Sequence, residues 1–568
     1  MKIPYGLSNF KDIITQGYLY IDKTAYIEQL EEQGKFNILL RPRRFGKSLF
    51  LSTLWHYYDR RYSDEFDTIF SDLYISEHPT PLKNSYQVLF MQFSGINTDN
   101  AKSIEQDFAF EVTGRLRVFL ECHQYPPEII RRMEAQSSPA NLMKAFFEIV
   151  RDKKIYLLID EYDHFANTVL GNDLNLYKEI VGRGGFVRSF YETIKTATLE
   201  GIVDRFFITG VTSITLDSLT SGFNIGENIS LHKNFNQALG FTAQETETVL
   251  RPLANCSSGL NTLTEDTARW YNGYLFNEEA TERVFNPDMV LYFAKNFDKE
   301  ECRYPKKMLD PNIASDYRKI LQYFSIGDSE QNYQILEELI TTGQVIAEHK
   351  GTLDIAKSFD RNDFISLIFY MGFITIQRAA LDETAFSIPN HVIQRLYFEY
   401  FKVETEQRSQ VSIDSSRLKE AIRELALRGD ITALTEEIGK VLALLSNRDF
   451  MNMDEKHIKA IILTLLYQST AYFIKSEPEI NNRYPDILLL ERNPIQVKYQ
   501  ILLELKYTKK SSGKHGWSQK IEEGNQQVLE YFQLEDIQRL KKLKAFLLVT
   551  DGNTVEAIEI EQPPPTSL

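Results

Sequence analysis

The chain has 568 residues, 43% of them hydrophobic and 25% charged, an ordinary globular balance that implies several domains at roughly 100–200 residues each. Its formal net charge of -15 excludes a protein that coats nucleic acid with its whole surface and leaves a local basic groove open. The three scattered cysteines, Cys122, Cys256 and Cys302, form no CxxC pair, which argues against a zinc ribbon and fits a reducing compartment.

The opening MKIPYGLSNF has no apolar core of the secretory kind. The greasiest stretch, 460–474, is broken by Gln468, Ser469 and Thr470 and falls short of the roughly 20 apolar residues of a membrane span. It reads as a buried helix, and the expectation is a cytoplasmic protein without membrane contact. Residues 36–40 read as a short buried strand, followed by a turn and a helix over 47–58. Further apolar runs at 155–159 and 205–209 complete the pattern of a parallel sheet with helices on both faces. From Phe241 the pattern turns helical. Within it, 363–400 reads as a short helix, strands near 372–377 and 385–388, and a helix from His391, the order of a winged-helix module. Residues 403–416 look like a polar linker, and 417–474 are again helical. Then come a strand (486–491), a turn at Asn493-Pro494, a strand (497–505), a loop, a helix (518–532) and a strand (544–550). The proline-rich tail 561–568 is expected to fray. Three domains are expected, at 1–240, 241–402 and 403–568.

Leu39-Leu40-Arg41-Pro42-Arg43-Arg44-Phe45-Gly46-Lys47-Ser48 joins a strand to a helix. It fits the P-loop G-x-x-x-x-G-K-[ST] except that Arg41 replaces the first glycine. Gly46 would let the backbone approach phosphates, Lys47 would meet the β- and γ-phosphates of ATP, and Ser48 would bind Mg²⁺. G-K-S alone also occurs in ordinary turns. The second half of the reading is 155–161, an apolar strand ending in Asp160-Glu161. Asp160 would hold Mg²⁺, and Glu161 would polarise the attacking water. Thr209, closing a third strand, either senses the γ-phosphate or makes a turn bond. Arg43 and Arg44 either add charge near the phosphates or form a solvated basic turn.

A second constellation lies near the C-terminus. Tyr484-Pro485-Asp486 opens one strand, and Glu504-Leu505-Lys506 closes the next. Two carboxylates on paired strands can share Mg²⁺, or Mn²⁺, with the Leu505 carbonyl as a further ligand and Lys506 acting on the attacking water. They reach one face only if the hairpin register allows it. The following helix carries Gln526 and Gln527, where a glutamine can support such a centre, and Glu477 or Glu479 could add a third carboxylate. Lys509, Lys510, Lys514, His515 and Lys520 form either a phosphate-binding cluster or a mobile solvated loop.

These motifs resemble a bacterial family that joins an AAA-ATPase-like N-terminal domain to a C-terminal PD-(D/E)XK nuclease domain. The resemblance spans nearly the whole chain. It is carried by Ile3-Pro4-Tyr5-Gly6, Tyr20-Ile21-Asp22-Lys23-Thr24, the Arg41 to Ser48 loop, Leu158-Ile159-Asp160-Glu161-Tyr162-Asp163, Ile208-Thr209-Gly210-Val211, Trp270-Tyr271-Asn272-Gly273-Tyr274 and Phe285-Asn286-Pro287. It implies that the missing first glycine is a family trait and that Gln527 is the supporting glutamine. The family's G-R-A-D approach to the aspartate is here Asn482-Arg483-Tyr484-Pro485-Asp486, so the register at Asp486 stays open. Phage defence or mobile-element biology is suspected for such proteins. The expected function is an ATP-binding and ATP-hydrolysing protein coupled to a Mg²⁺-dependent nuclease acting on DNA or RNA. The alternative is a nucleotide-switched module that binds nucleic acid or protein through an inactive nuclease fold. A homo-oligomer is compatible with either.

Overall fold

The computed structural model describes residues 1–563 except 183, 216–222, 257–258, 354–358, 447–453, 478–479 and 481–482; the side chains of 255–256, 316–322, 380 and 446 are likewise outside it. Glu479, Asn482, the side chain of Cys256 and the end of the proline-rich tail therefore lie outside the described residues. Contacts divide the chain into two compact units. One comprises Met1–Cys302, Leu309–Ile335 and Gln344–His391; the other comprises Arg303–Met308, Leu336–Gly343 and Val392–Leu568.

The first unit is built on five strands: β1 (Phe36–Leu40), β2 (Gln87–Gln92), β3 (Ile155–Asp160), β4 (Val203–Gly210) and β5 (Glu227–Asn228). They pair in the order β2-β3-β4-β1-β5, and every pairing is parallel. Such a sheet is covered on both faces, which is why β3 is buried along its whole length and runs apolar up to its terminal Asp160. The helix Lys47–Tyr58 leaves β1 and is apolar around most of its circumference, as a helix packed on several sides must be. The helix Ala101–Cys122 starts on a reciprocal capping box between Asn100 and Ser103. Its Phe108 packs against Phe93, Phe165, Phe186 and Phe190, a cluster in the core beside the sheet.

The same unit holds the expected helix-hairpin motif: a helix Arg361–Tyr370, then β7 (Thr375–Ala380) and β8 (Glu383–Ser387), with a helix His391–Ser409 starting at the unit's last residue. An additional strand, β6 (Gln344–Ala347), pairs with β8, giving the order β6-β8-β7. Gly372, at a φ of 81°, packs so tightly on Pro42 that a Cβ would lie 2.7 Å from the proline's own. The loop after β1 is thereby pressed against the start of this motif.

The second unit carries helices Ser415–Arg428, Thr432–Ser446 and Glu455–Leu466, then β9 (Phe473–Ser476), β10 (Ile487–Leu490), β11 (Gln500–Tyr507), β12 (Leu543–Thr550) and β13 (Val555–Ile560). The strand order is β13-β12-β11-β10-β9. β10 and β11 form an antiparallel pair, whereas β11 and β12 run parallel and are joined through the helix Gly513–Tyr531. Leu488, Leu502, Val528, Tyr531, Phe532 and Ala545 form a core under that helix.

Three expectations are corrected. The supposed linker is helical up to Ser409, where Lys402–Glu406 and Glu404–Arg408 form two i,i+4 ion pairs on different faces of the helix. The end of the long helical stretch, from Phe473, is strand β9. The supposed basic loop holds a 3-10 turn at Lys510–Ser512, and Lys514 and His515 already lie in the helix that begins at Gly513.

Candidate active sites

The loop from Arg41 to Gly46 links β1 to the helix Lys47–Tyr58. Gly46 caps that helix at a φ of 90°, a conformation that suits glycine, and Arg44 also takes a positive φ of 69°. Among the described residues no side chain caps the helix, and its first turn carries no acid, an arrangement that leaves its leading N–H groups able to face an anion. Arg41 does not face phosphates. It is fully buried and donates to the carbonyls of Leu40, Ser230 and Phe235, with its guanidinium 4.0 Å from the Phe276 ring centre. Burial lowers its pKa to about 9. The residue at the glycine position thus anchors the loop from behind.

Lys47 is 7% exposed and donates to the carbonyls of Arg41 and Pro42, both at 2.9 Å. Burial lowers its pKa to about 8, against the opposing pull of Asp160, Glu161 and Asp163. Asp160, at the end of β3, is fully buried. Its Oδ1 accepts from the Thr209 hydroxyl at 2.8 Å and the Glu161 N–H at 3.1 Å. Its Oδ2 has no hydrogen-bond partner among the described residues. Thr209 therefore orients Asp160. Asp163 receives the N–H groups of Val211 (3.0 Å) and Thr212 (2.7 Å) and the Asn167 amide (2.6 Å), so it ties down the segment after β4. Tyr162 assists there through its hydroxyl on the Thr212 carbonyl.

A cavity of about 540 Å³ opens over this loop. Lys47, Ser48, Glu161, Arg43 and Arg44 line its polar end, and Pro4, Leu7, Leu19, Ile21, Leu239 and Phe241 supply apolar wall. That volume is typical of a small-molecule site. Of the N-terminal motif residues, Pro4, Gly6, Tyr20, Ile21 and Lys23 thus form cavity wall. Arg44 lies 4.0 Å from Asp288, and Asn286 reaches the Arg43 carbonyl at 3.4 Å while its own Oδ1 caps the helix Pro287–Asn296.

In the second unit the hairpin register brings the expected carboxylates together. Ile487 pairs with Leu503, which sets Asp486 beside Glu504, and Asp486 Oδ2 accepts the Leu505 N–H at 2.9 Å. Glu504 is 2% exposed. Its Oε1 takes Lys506 Nζ at 2.7 Å, and its Oε2 has no hydrogen-bond partner among the described residues. Burial, then the charge of Asp486, pushes the Glu504 carboxyl up to about 7, although Lys506 pulls the other way. Lys506 also donates to the Leu505 carbonyl at 3.1 Å. Burial disfavours its charge, but Glu504 outweighs that and its pKa is raised. Lys506 is thus held as an ammonium that donates hydrogen bonds to both groups.

Gln527 sits on the helix that packs over β11 and β12, and its Oε1 is buried without a partner among the described residues. Tyr531, one turn on, donates to the Tyr484 carbonyl at 3.3 Å; burial, with Glu504 and Asp486 adding, raises its pKa. Glu477 is not a free third carboxylate. It pairs with Lys459 Nζ at 2.5 Å, and the same ammonium reaches Asp486 Oδ1 at 3.3 Å. Sequence reasoning missed Lys459; its signal was a lone lysine inside the apolar run Ile458 to Leu466. Among the described residues no three His, Cys, Asp or Glu side chains form a metal-holding group. The donor set is Asp486, Glu504 and the Leu505 carbonyl, and the orphaned Oε2 fits a divalent cation.

The parallel sheet with its Gly46-Lys47-Ser48 turn and the α/β unit with paired carboxylates fall where two family models match. Residues 4–220 match the model described as predicted AAA-ATPase, and residues 453–560 match that of the PD-(D/E)XK nuclease superfamily, so the chain carries a domain of each kind. It is also 30% identical over 305 residues to an uncharacterized protein in vnfD 5'region from Azotobacter chroococcum mcd 1, covering 52% of this chain and 52% of that protein. The chain spans about half the length of that curated relative. Among the described residues no helix is long and apolar enough to cross a membrane.

Proposed function

We propose that this chain binds and hydrolyses ATP at the phosphate loop and cleaves a nucleic-acid phosphodiester at the Asp486, Glu504 and Lys506 centre. The observation that carries the reading is the pair of buried, unpartnered carboxylate oxygens, Asp160 Oδ2 and Glu504 Oε2. A buried carboxylate oxygen without a donor is costly, and a cation relieves it.

At the first site, Lys47 and the helix N–H groups take the phosphates, Ser48 and Asp160 hold Mg²⁺, and Glu161 orients the attacking water. Thr209 fixes Asp160 and leaves the γ-phosphate to Lys47, Arg43 and Arg44. At the second, Asp486, Glu504 and the Leu505 carbonyl hold Mg²⁺ or Mn²⁺. The bound ion supplies Lewis-acid polarisation of the phosphate and a more acidic water. Lys506, kept protonated, orients that water and steadies the developing negative charge, and Gln527 braces the same strand. A role in defence or mobile-element biology would suit such a pairing.

The test incubates the full chain with linear DNA, plasmid and single-stranded RNA, with ATP, Mg²⁺ and Mn²⁺ each present or withheld. Metal-dependent cleavage is expected in wild type, with loss in Asp486→Ala and Glu504→Ala while ATP hydrolysis stays near wild type. Cleavage that survives in both variants refutes this centre. Binding of nucleic acid without cleavage under every condition would favour the switched binding module instead.

A further inference from the structure

We propose that Lys459 is a positioning residue of the carboxylate centre, and that its ammonium stands where a second divalent ion would otherwise sit. The centre then takes one ion per chain. This rests on the reading of Asp486 and Glu504 as a metal-binding nuclease centre.

Lys459 lies on the helix Glu455–Leu466, which packs against β11. It is 7% exposed, among Ile458, Ala460, Ile461, Ile462 and Leu463, all buried. A buried ammonium is held only by paired charge. Its partners are Glu477 Oε1 at 2.5 Å and Asp486 Oδ1 at 3.3 Å. The two sides of Asp486 are thus spoken for differently. Oδ2 lies on the Leu505 N–H beside Glu504, whereas Oδ1 is turned to the lysine. Glu477 is contributed from the other flank, where its N–H donates to the Asp486 carbonyl at 2.9 Å.

Two cation positions follow from this layout. The first is bounded by Glu504, whose Oε2 lacks a partner among the described residues, by Asp486 and by the Leu505 carbonyl. The second lies between Asp486 Oδ1 and Glu477, and an ammonium on a helix already fills it. Because the lysine is covalently fixed, its charge gives Asp486 Oδ1 a permanent partner and holds that carboxylate in place beside the first position. Neutralising Lys459 leaves Asp486 and Glu477 facing each other without a cation, which is the environment that recruits one.

The experiment counts Mn²⁺ bound per full-length chain without nucleotide, on an Asp160→Ala background throughout to remove the other proposed ion site, by titration calorimetry and by the spin-resonance signal of free Mn²⁺. Wild type should bind one ion, lost in Glu504→Ala. Lys459→Met should bind two, and Lys459→Met with Glu477→Ala should return to one or fewer. Lys459→Arg, which keeps the charge, should bind one, and it serves as the folding control together with circular dichroism. Two ions in wild type, both sensitive to Glu504→Ala, would overturn the role of Lys459 and leave the nuclease reading standing. An unchanged count of one in folded Lys459→Met would do the same. No ion in wild type, or one indifferent to Glu504→Ala, would overturn the nuclease reading itself and this inference with it.

Discussion

Replacing Lys47 by alanine separates binding from stability, because the two should move in opposite directions. The ammonium is almost wholly buried, and burial holds its pKa at about 8. Relative to an ordinary lysine, that corresponds to a penalty on the charged form of order 3 kcal/mol. The sign follows from linkage: the folded pKa is depressed, so the penalty is fully present below about pH 8 and fades as pH rises towards the ordinary lysine value. Two hydrogen bonds to the Arg41 and Pro42 carbonyls offset part of it. Without ATP, Lys47→Ala should therefore melt at or slightly above the wild-type temperature. With ATP the order reverses. Removing one partner of a buried, hydrogen-bonded charge pair costs roughly 2–5 kcal/mol, and the helix N–H groups remain, so about 3–4 kcal/mol is expected. That is about 100- to 1,000-fold in affinity. At an ATP concentration giving wild type about 2.7 kcal/mol of stabilisation, the variant should gain less than about 0.5 kcal/mol. Calorimetry measures the affinities, and melting curves with and without ATP measure the stabilities. ATP affinity in Lys47→Ala within threefold of wild type would refute the phosphate-loop assignment.

Other outcomes follow from the same geometry. Glu161→Gln should keep ATP affinity within a fewfold and slow hydrolysis by about 100-fold or more, the usual weight of positioned acid–base groups; a wild-type turnover rate would remove Glu161 from the chemistry, and Asp163, already bound to two backbone N–H groups, cannot replace it. ATP affinity should fall as pH rises above about 8, by up to tenfold per unit, since only protonated Lys47 meets the phosphates; a flat profile to pH 9.5 would contradict this. Mn²⁺ affinity at the carboxylate centre should rise with pH up to about 7, with proton release, because the ion needs the ionised form of Glu504. In the metal-free protein the sign is opposite: the raised folded pKa makes stability fall as pH climbs from the ordinary carboxylate range to about 7, and urea titrations across that window would detect it.

The sequence carried the strands that are mostly apolar. Residues 36–40 and 155–159 are β1 and most of β3 because a parallel sheet buries both faces of each strand; the polar interruption, Asn37, is buried and donates its amide to the Gly34 carbonyl at 3.1 Å. β2 escaped because Gln87 and Gln92 bracket its apolar residues, and β5 because two residues make no pattern. The nuclease hairpin was legible in outline. Its register was not, since a one-residue slip would have turned Asp486 away, and only the pairing of Ile487 with Leu503 fixes it. Lys459 showed only as a lysine inside an apolar run: a helix pattern tells which face is buried but not which buried position meets a carboxylate from a strand.

Arg41 shows where motif reasoning and physical reasoning part. By motif, a glycine belongs there, and Arg41→Gly would restore the common form of the loop. By structure, the arginine holds carbonyls of Ser230 and Phe235 and stacks on Phe276, none of which a glycine can replace. Each buried carbonyl left without a donor costs roughly 1–3 kcal/mol, and the stacked cation adds up to about 2. The depressed pKa of the guanidinium, at about 9, means its burial already works against the fold, which takes back part of that sum. A net loss of about 3 kcal/mol is expected, and it should show as a melting temperature several degrees lower despite the improved match to the P-loop pattern. Because Arg41 and Pro42 also offer their carbonyls to Lys47, the loosened loop should bind ATP more weakly as well. Arg41→Gly with unchanged melting temperature and ATP affinity would mean that the loop holds its shape without the anchor, and that the arginine's contacts are incidental.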